Sequence, residues 1–254
     1  MTDTLSPPNP AELTISIGRG TLSFSATEPG DGAHAISHEP YVVKSGISMA
    51  ANLREAFRTS TLLAANYRQA RVEVDAPVLL VPAEIYDQAT SPELFAYTFP
   101  RQAHHAVLSQ PVEELGVVVV FGMNKDLKQV IEDHFQSVCF VNAITSVWQQ
   151  LHRHSLAGVR SRLYAYFHAG WIDIFSFSKN RFKFANQFDA ANADDALYYL
   201  LYVWKQLMLK PEHDELFLLG QQPRPTDDNA GEQWLTDELR RYVGRVDAIS
   251  LDQL

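Results

Sequence analysis

Twice along this chain, three short strand-like segments come in close order and are followed by a helix pattern, a strand, a second helix pattern and a last strand. That order constrains the fold more than any single motif does. Segments joined by tight turns pair antiparallel, whereas strands separated by helices pair parallel through crossovers. Each copy therefore predicts a mixed α/β sheet with helices on its faces, and the sheet is used twice.

In the first copy strands are expected over 13–17, 21–25 and 36–43. The middle one sets Leu22 and Phe24 against Ser23 and Ser25, a half-buried alternation. Turn chemistry at Glu28-Pro29-Gly30-Asp31-Gly32 separates it from the third. A helix opens near Ser48 with Met49, Leu53, Ala56, Phe57 and Leu63 on one face. Strands follow over 71–74 and 78–81, and Pro82 with Glu84 predicts a short helix beginning at the proline. Two more strands are read over 106–109 and 117–121, the second an unbroken apolar run suited to burial on both faces. Asn124 caps a helix carrying Leu127, Val130, Ile131 and Phe135. A strand over 138–141 and a helix with Ile144, Val147, Trp148 and Leu151 complete the copy.

The order restarts after Ser155-Leu156-Ala157-Gly158, read as a hinge. Strands are expected over 160–167, 171–177 and 181–188, with Ser178-Lys179-Asn180 as a hairpin loop. A helix follows Asn192 with Asp194 and Asp195 in its first turn. Then come a strand over 215–219 ending at Gly220, a helix with Leu235, Leu239 and Tyr242, and a strand over 246–249. The copies share element order rather than residues, an internal duplication. Two domains are accordingly expected, 1–155 with an insertion at about 82–116, and 156–254.

Composition narrows the function classes. At 46% hydrophobic residues the chain can bury a core, and a net charge of −9 disfavours nucleic acid and anionic lipid as partners. The first ten residues have neither a basic start nor an apolar stretch, and no apolar run has the length of a membrane span. A soluble, cytoplasmic protein is expected. Cys139, the sole cysteine, precludes an intramolecular disulfide and is read as a buried strand thiol.

Four stretches carry a resemblance: Leu13-Thr14-Ile15-Ser16-Ile17, Leu79-Leu80-Val81-Pro82, Phe184-Ala185-Asn186-Gln187-Phe188 and Asp194-Asp195-Ala196-Leu197-Tyr198-Tyr199-Leu200-Leu201. With the doubled order, they make the chain similar to a family of uncharacterised proteins from Bacteroidetes bacteria described as actin-like. The broader resemblance is to the actin-like ATPase fold, with its paired ribonuclease-H-like domains. It implies a nucleotide site in the cleft between halves. There, hairpin turns rich in glycine cradle phosphates, acids beside the turns hold hydrated magnesium, and a Gly-Gly after a strand admits the adenosine.

Carried onto this chain, the first turn keeps Gly18 and Gly20, but Ser16 stands where the family Asp is expected and Arg19 enters the turn. The second keeps Gly170 and has His168 at the acid position. In the third element Gln221 follows Gly220, and its side chain would crowd a close approach. Asp173 shares a strand face with Trp171, and solvent is its default surrounding. What the resemblance implies is a bacterial pseudo-ATPase, a scaffold or interaction module without a cofactor, ATP and magnesium being disfavoured. Its partner would be an unknown protein or a second copy; the aromatics Tyr198, Tyr199, Tyr202 and Trp204 wrap a helix suited to such a contact.

Two alternatives stand beside it. One is an ATPase or phosphotransferase using Asp173 or Glu84 as replacement acids. The other is a small-anion binder at Arg19 and His168, against which stands the plain reading of a solvated turn arginine and a structural histidine. His104-His105 and His152-x-His154 have too few partners for a metal site, and Asp227-Asp228-Asn229 reads as cap chemistry.

Overall fold

The computed structural model describes residues 12–27, 36–65, 67–156, 160–179, 181–225 and 233–251. Strands β1 (Glu12–Ile17), β2 (Leu22–Thr27) and β3 (Ile36–Tyr41) form an antiparallel meander. Leu13, Ile15 and Ile17 of β1 are buried beside Phe24 and Leu22 of β2, whose pairing Ile15↔Phe24 keeps both apolar sets on one face. Helix α1 (Met49–Thr59) starts at Ser48, whose side chain accepts from Ala51 N, and buries Leu53 and Ala56. Leu63, expected on this helix, is buried in the turn that follows it. Asn52 is fully buried and works as a staple: its Oδ1 accepts from Lys44 N at 2.8 Å and its Nδ2 donates to Ser48 O at 3.1 Å.

Strand β4 (Gln69–Val74) returns parallel to β1, with Ile15↔Val72 in register. A separate three-stranded antiparallel sheet follows: β5 (Val78–Pro82), then helix α2 (Ser91–Thr98), β6 (Ala106–Val112) and β7 (Val117–Met123), in the order β5-β7-β6. Its core is Val81, Phe95, Val118 and Val120. Pro82 closes β5 and a 3-10 turn over Ala83–Ile85 follows, in place of the expected helix start. Helix α2, which carries Phe95 into this core, escaped the sequence reading because eight residues give little periodicity. Helix α3 (Lys125–His134) is capped by Asn124, whose Oδ1 accepts from Leu127 N at 3.0 Å. Strand β8 (Ser137–Asn142) then pairs parallel with β4 and leads into α4 (Ala143–Leu156). The sheet reads β3-β2-β1-β4-β8. Cys139 is exposed, contrary to the buried thiol expected, because β8 is an edge strand with one face open.

The second sheet is built from β9 (Arg162–His168), β10 (Trp171–Ser178), β11 (Arg181–Asp189), β12 (Glu215–Gly220) and β13 (Val246–Ile249), with α5 (Ala193–Gln206) and α6 (Trp234–Arg240) in the crossovers. Its order, β11-β10-β9-β12-β13, repeats that of the first, three antiparallel strands continued by two parallel ones. Among the described residues, one compact unit ends at Thr145 and the other begins at Ser146, the turn Glu114–Gly116 clustering with the second. Ser155 and Leu156, read as part of a hinge, are the last residues of α4. Residues 157–159 and the Asp227-Asp228-Asn229 cap lie outside the described residues.

The second sheet has two different faces. Leu163, Ala165, Ile174 and Leu218 pack against Leu200 and Val203 of α5 and Leu235 and Leu239 of α6. On the other face Tyr164 lies between Phe175, 5.6 Å away at 14°, and Phe217, 5.2 Å away at 20°. Trp148 and His154 of α4 close on that stack edge-on. Burial pushes the Tyr164 hydroxyl pKa up to about 12, and its oxygen sits 3.0 Å from His154 Nδ1. Beneath the stack, buried Glu215 meets Arg162 Nε at 3.0 Å.

Two predictions rest on this core. Glu215→Ala leaves the nearly buried Arg162 guanidinium without its carboxylate and should cost about 3–5 kcal/mol in a urea titration. Burial, followed by the Arg162 charge, holds the His154 pKa below its ordinary value against the opposing pull of Glu215. The unfolded chain, with a histidine pKa of about 6.5, therefore takes up the proton first. Stability should be complete above that pH and decline as pH falls below it. His154→Gln should reduce the drop in melting temperature on acidification.

Candidate functional site

The first hairpin is built by its own backbone. Gly18 N donates to Thr21 O at 3.0 Å and Gly20 N donates to Gly18 O at 2.9 Å, so both glycine N–H groups are spent inside the turn. A side chain at Gly18 would come within 2.2 Å of Thr21 Oγ1, and Gly20 has φ +97°. These glycines are explained by the turn alone. Ser16 is half-buried between Ser23 on β2 and Glu73 on β4, and Arg19 is exposed at the tip. Two acids that the sequence reading passed over stand close by. The register puts Glu73 beside Ser16, and Asp75 N donates to Ile17 O at 2.9 Å, just before the turn. Neither could be found without knowing that β4 pairs with β1. Glu73 is ion-paired with Arg71 at 3.1 Å.

The second hairpin closes on Ala169 and Gly170, with φ +46° and +79°, between the paired residues His168 and Trp171. Two positive φ values in a two-residue loop mark a type I′ turn, whose twist matches the strands it joins. Asp173 is 6% exposed, not solvent-facing as expected, because β10 turns it to the same face as buried Phe175 and Phe177. Its Oδ2 bonds to His168 Nε2 and accepts from Gln187 Nε2 at 3.2 Å. Tyr166 stacks on the His168 ring at 5.0 Å and 23°. The structure thus joins two of the expected positions, His168 and Asp173, into one polar cluster and adds Gln187 and Tyr166, which had been passed over. The alternation of β9, β10 and β11 could have signalled both once the register was known.

Gly220 has φ +79°, and a Cβ there would lie 2.2 Å from Phe167 O. The end of β12 is pressed against the β9 backbone, which explains this glycine by strand packing. Gln221 follows it, exposed. Glu84 is exposed on the 3-10 turn of the small sheet. Among the described residues no three His, Cys, Asp or Glu side chains converge as metal ligands would.

Ala169→Asn supplies the Asn-Gly pair that a type I′ turn favours and relieves a left-handed alanine, so it should stabilise by about 1 kcal/mol in chemical denaturation. Gly220→Ala should do the reverse and lower the melting temperature, since the new methyl must displace the Phe167 carbonyl.

A family model described as a protein of unknown function (DUF3822) matches residues 3–246. A crystal structure from Bacteroides thetaiotaomicron VPI-5482, described as a protein with actin-like ATPase fold and unknown function, superposes with a TM-score of 0.82. It is 25% identical, and the match covers 98% of this chain and 94% of that one. The PilM–PilN type IV pilus biogenesis complex superposes with a TM-score of 0.54 at 15% identity, covering 97% of this chain and 90% of that one. Comparison with curated proteins gave no significant match. Two sheets of one shared strand order and a match over nearly the whole length carry a single conclusion: the chain has the actin-like ATPase fold and belongs to the DUF3822 family.

Proposed function

We propose that this protein is a non-catalytic, actin-like interaction module working in the bacterial cytoplasm through a protein partner or a second copy of itself. The observation that carries the proposal is the use already made of the groups a nucleotide would need. The Gly18 and Gly20 N–H groups bond within their own turn, so they are not free to cradle a phosphate. Asp173, the buried acid beside the second turn, is held by His168 and Gln187. Ser16 brings no charge to attract magnesium. A neighbour of the same fold, in the PilM–PilN pair, is a component of a protein complex, which agrees with a role defined by partners. No helix among the described residues is long and apolar enough to cross a membrane.

One observation favours a second reading. Asp75 adjoins the first turn and is better placed to serve as a replacement acid than the exposed Glu84. The two readings separate in one experiment. Under the module reading, millimolar ATP or ADP with magnesium leaves the melting temperature unchanged and no phosphate is released. A clear rise in melting temperature sinks it, because any ligand that prefers the folded chain must stabilise it. Phosphate release that is lost in Asp75→Asn would then support the ATPase reading.

A further inference from the structure

Positive charge is concentrated at the strand ends of the second sheet opposite Gly220, beyond what the fold needs. Glu215, whose side chain is 7% exposed, receives three guanidinium groups: Arg162 Nε at 3.0 Å on Oε2, and Arg245 Nη1 at 2.7 Å and Arg160 Nη1 at 3.5 Å on Oε1. Neutralising one buried carboxylate takes one cation. Arg162 meets that need, being 11% exposed and held as well by the His154 carbonyl and the face of Phe217. Arg160 and Arg245 are a different case. They are 44% and 56% exposed, and neither has another carboxylate within ion-pair distance among the described residues. Asp214, the preceding residue, has its oxygens engaged by Ser161 N and Lys210 N at 3.2 and 2.7 Å.

Three permanent positive charges thus converge on a single negative one, in a chain whose net charge is −9. Each guanidinium has five N–H donors, so Arg160 and Arg245 retain most of theirs after bonding Glu215. We propose that these two arginines form a recognition site for a second carboxylate, carried on an acidic segment of a protein partner. The planar guanidinium fork matches a carboxylate edge to edge, and Arg245 spends only one Nη1 on Glu215. The open placement of both side chains suits an acid arriving on a polypeptide better than a small ion seeking an enclosed cavity. Within its own sheet the site lies at the strand ends opposite the His168–Trp171 turn and does not depend on whether that turn holds a nucleotide.

The test is titration of an octaglutamate peptide into the full chain at low ionic strength, followed by calorimetry. Binding is expected, weakening steeply with added salt, and the dissociation constant should rise about tenfold or more in Arg160→Gln/Arg245→Gln. Arg245→Lys, which keeps the charge and loses the fork, should fall between. The melting temperature of each variant without peptide separates lost binding from lost folding. If the double variant is destabilised, Arg245→Gln alone, at the more exposed position, decides. No binding of octaglutamate, undiminished binding by a folded variant, or equal binding of inorganic phosphate would each overturn the proposal.

Discussion

Each five-stranded sheet depends on one strand whose two neighbours run in opposite senses. Strand β1 pairs antiparallel with β2 and parallel with β4, and β9 does the same with β10 and β12. The antiparallel side requires a tight turn at the strand's end, and the parallel side requires a helical crossover. Turn, crossover and buried face all follow from that double pairing. It also brings a reversing turn and the end of a parallel neighbour side by side: Asp75 beside Gly18 in one sheet, Gly220 against Phe167 in the other.

The same constraint accounts for the glycines at these turns with no ligand needed. Gly18, Gly20, Gly170 and Gly220 answer to backbone conformation and close approach within the sheet. Ser16 and His168 answer to no such demand. Around His168 the chain has assembled a local arrangement on the face shared with the aromatic stack: Asp173 bonds to His168 and Gln187, and Tyr166 stacks on the histidine ring.

Much of this was legible from residues alone. The alternation of Leu22 and Phe24, the caps at Asn124 and Asn192, and the order of segments gave the element types and the doubled sheet. What escaped was information that lives between strands. Whether Cys139 is covered depends on β8 being an edge, and whether Asp173 is wet depends on what shares its face. Glu73 and Asp75 come next to the first turn only through a parallel pairing spanning more than fifty residues of sequence. The strand over 117–121 was recognised, but its place at the centre of a separate small sheet was not, since an apolar run does not say which sheet buries it.

The contact between Gly220 and the Phe167 carbonyl has a consequence for how such chains are recognised. A residue required by backbone geometry says nothing of the chemistry around it, whereas a side chain that the backbone leaves free can. Patterns weighted on these glycines therefore report the fold and not the activity. The discriminating signal lies in the positions the backbone leaves free.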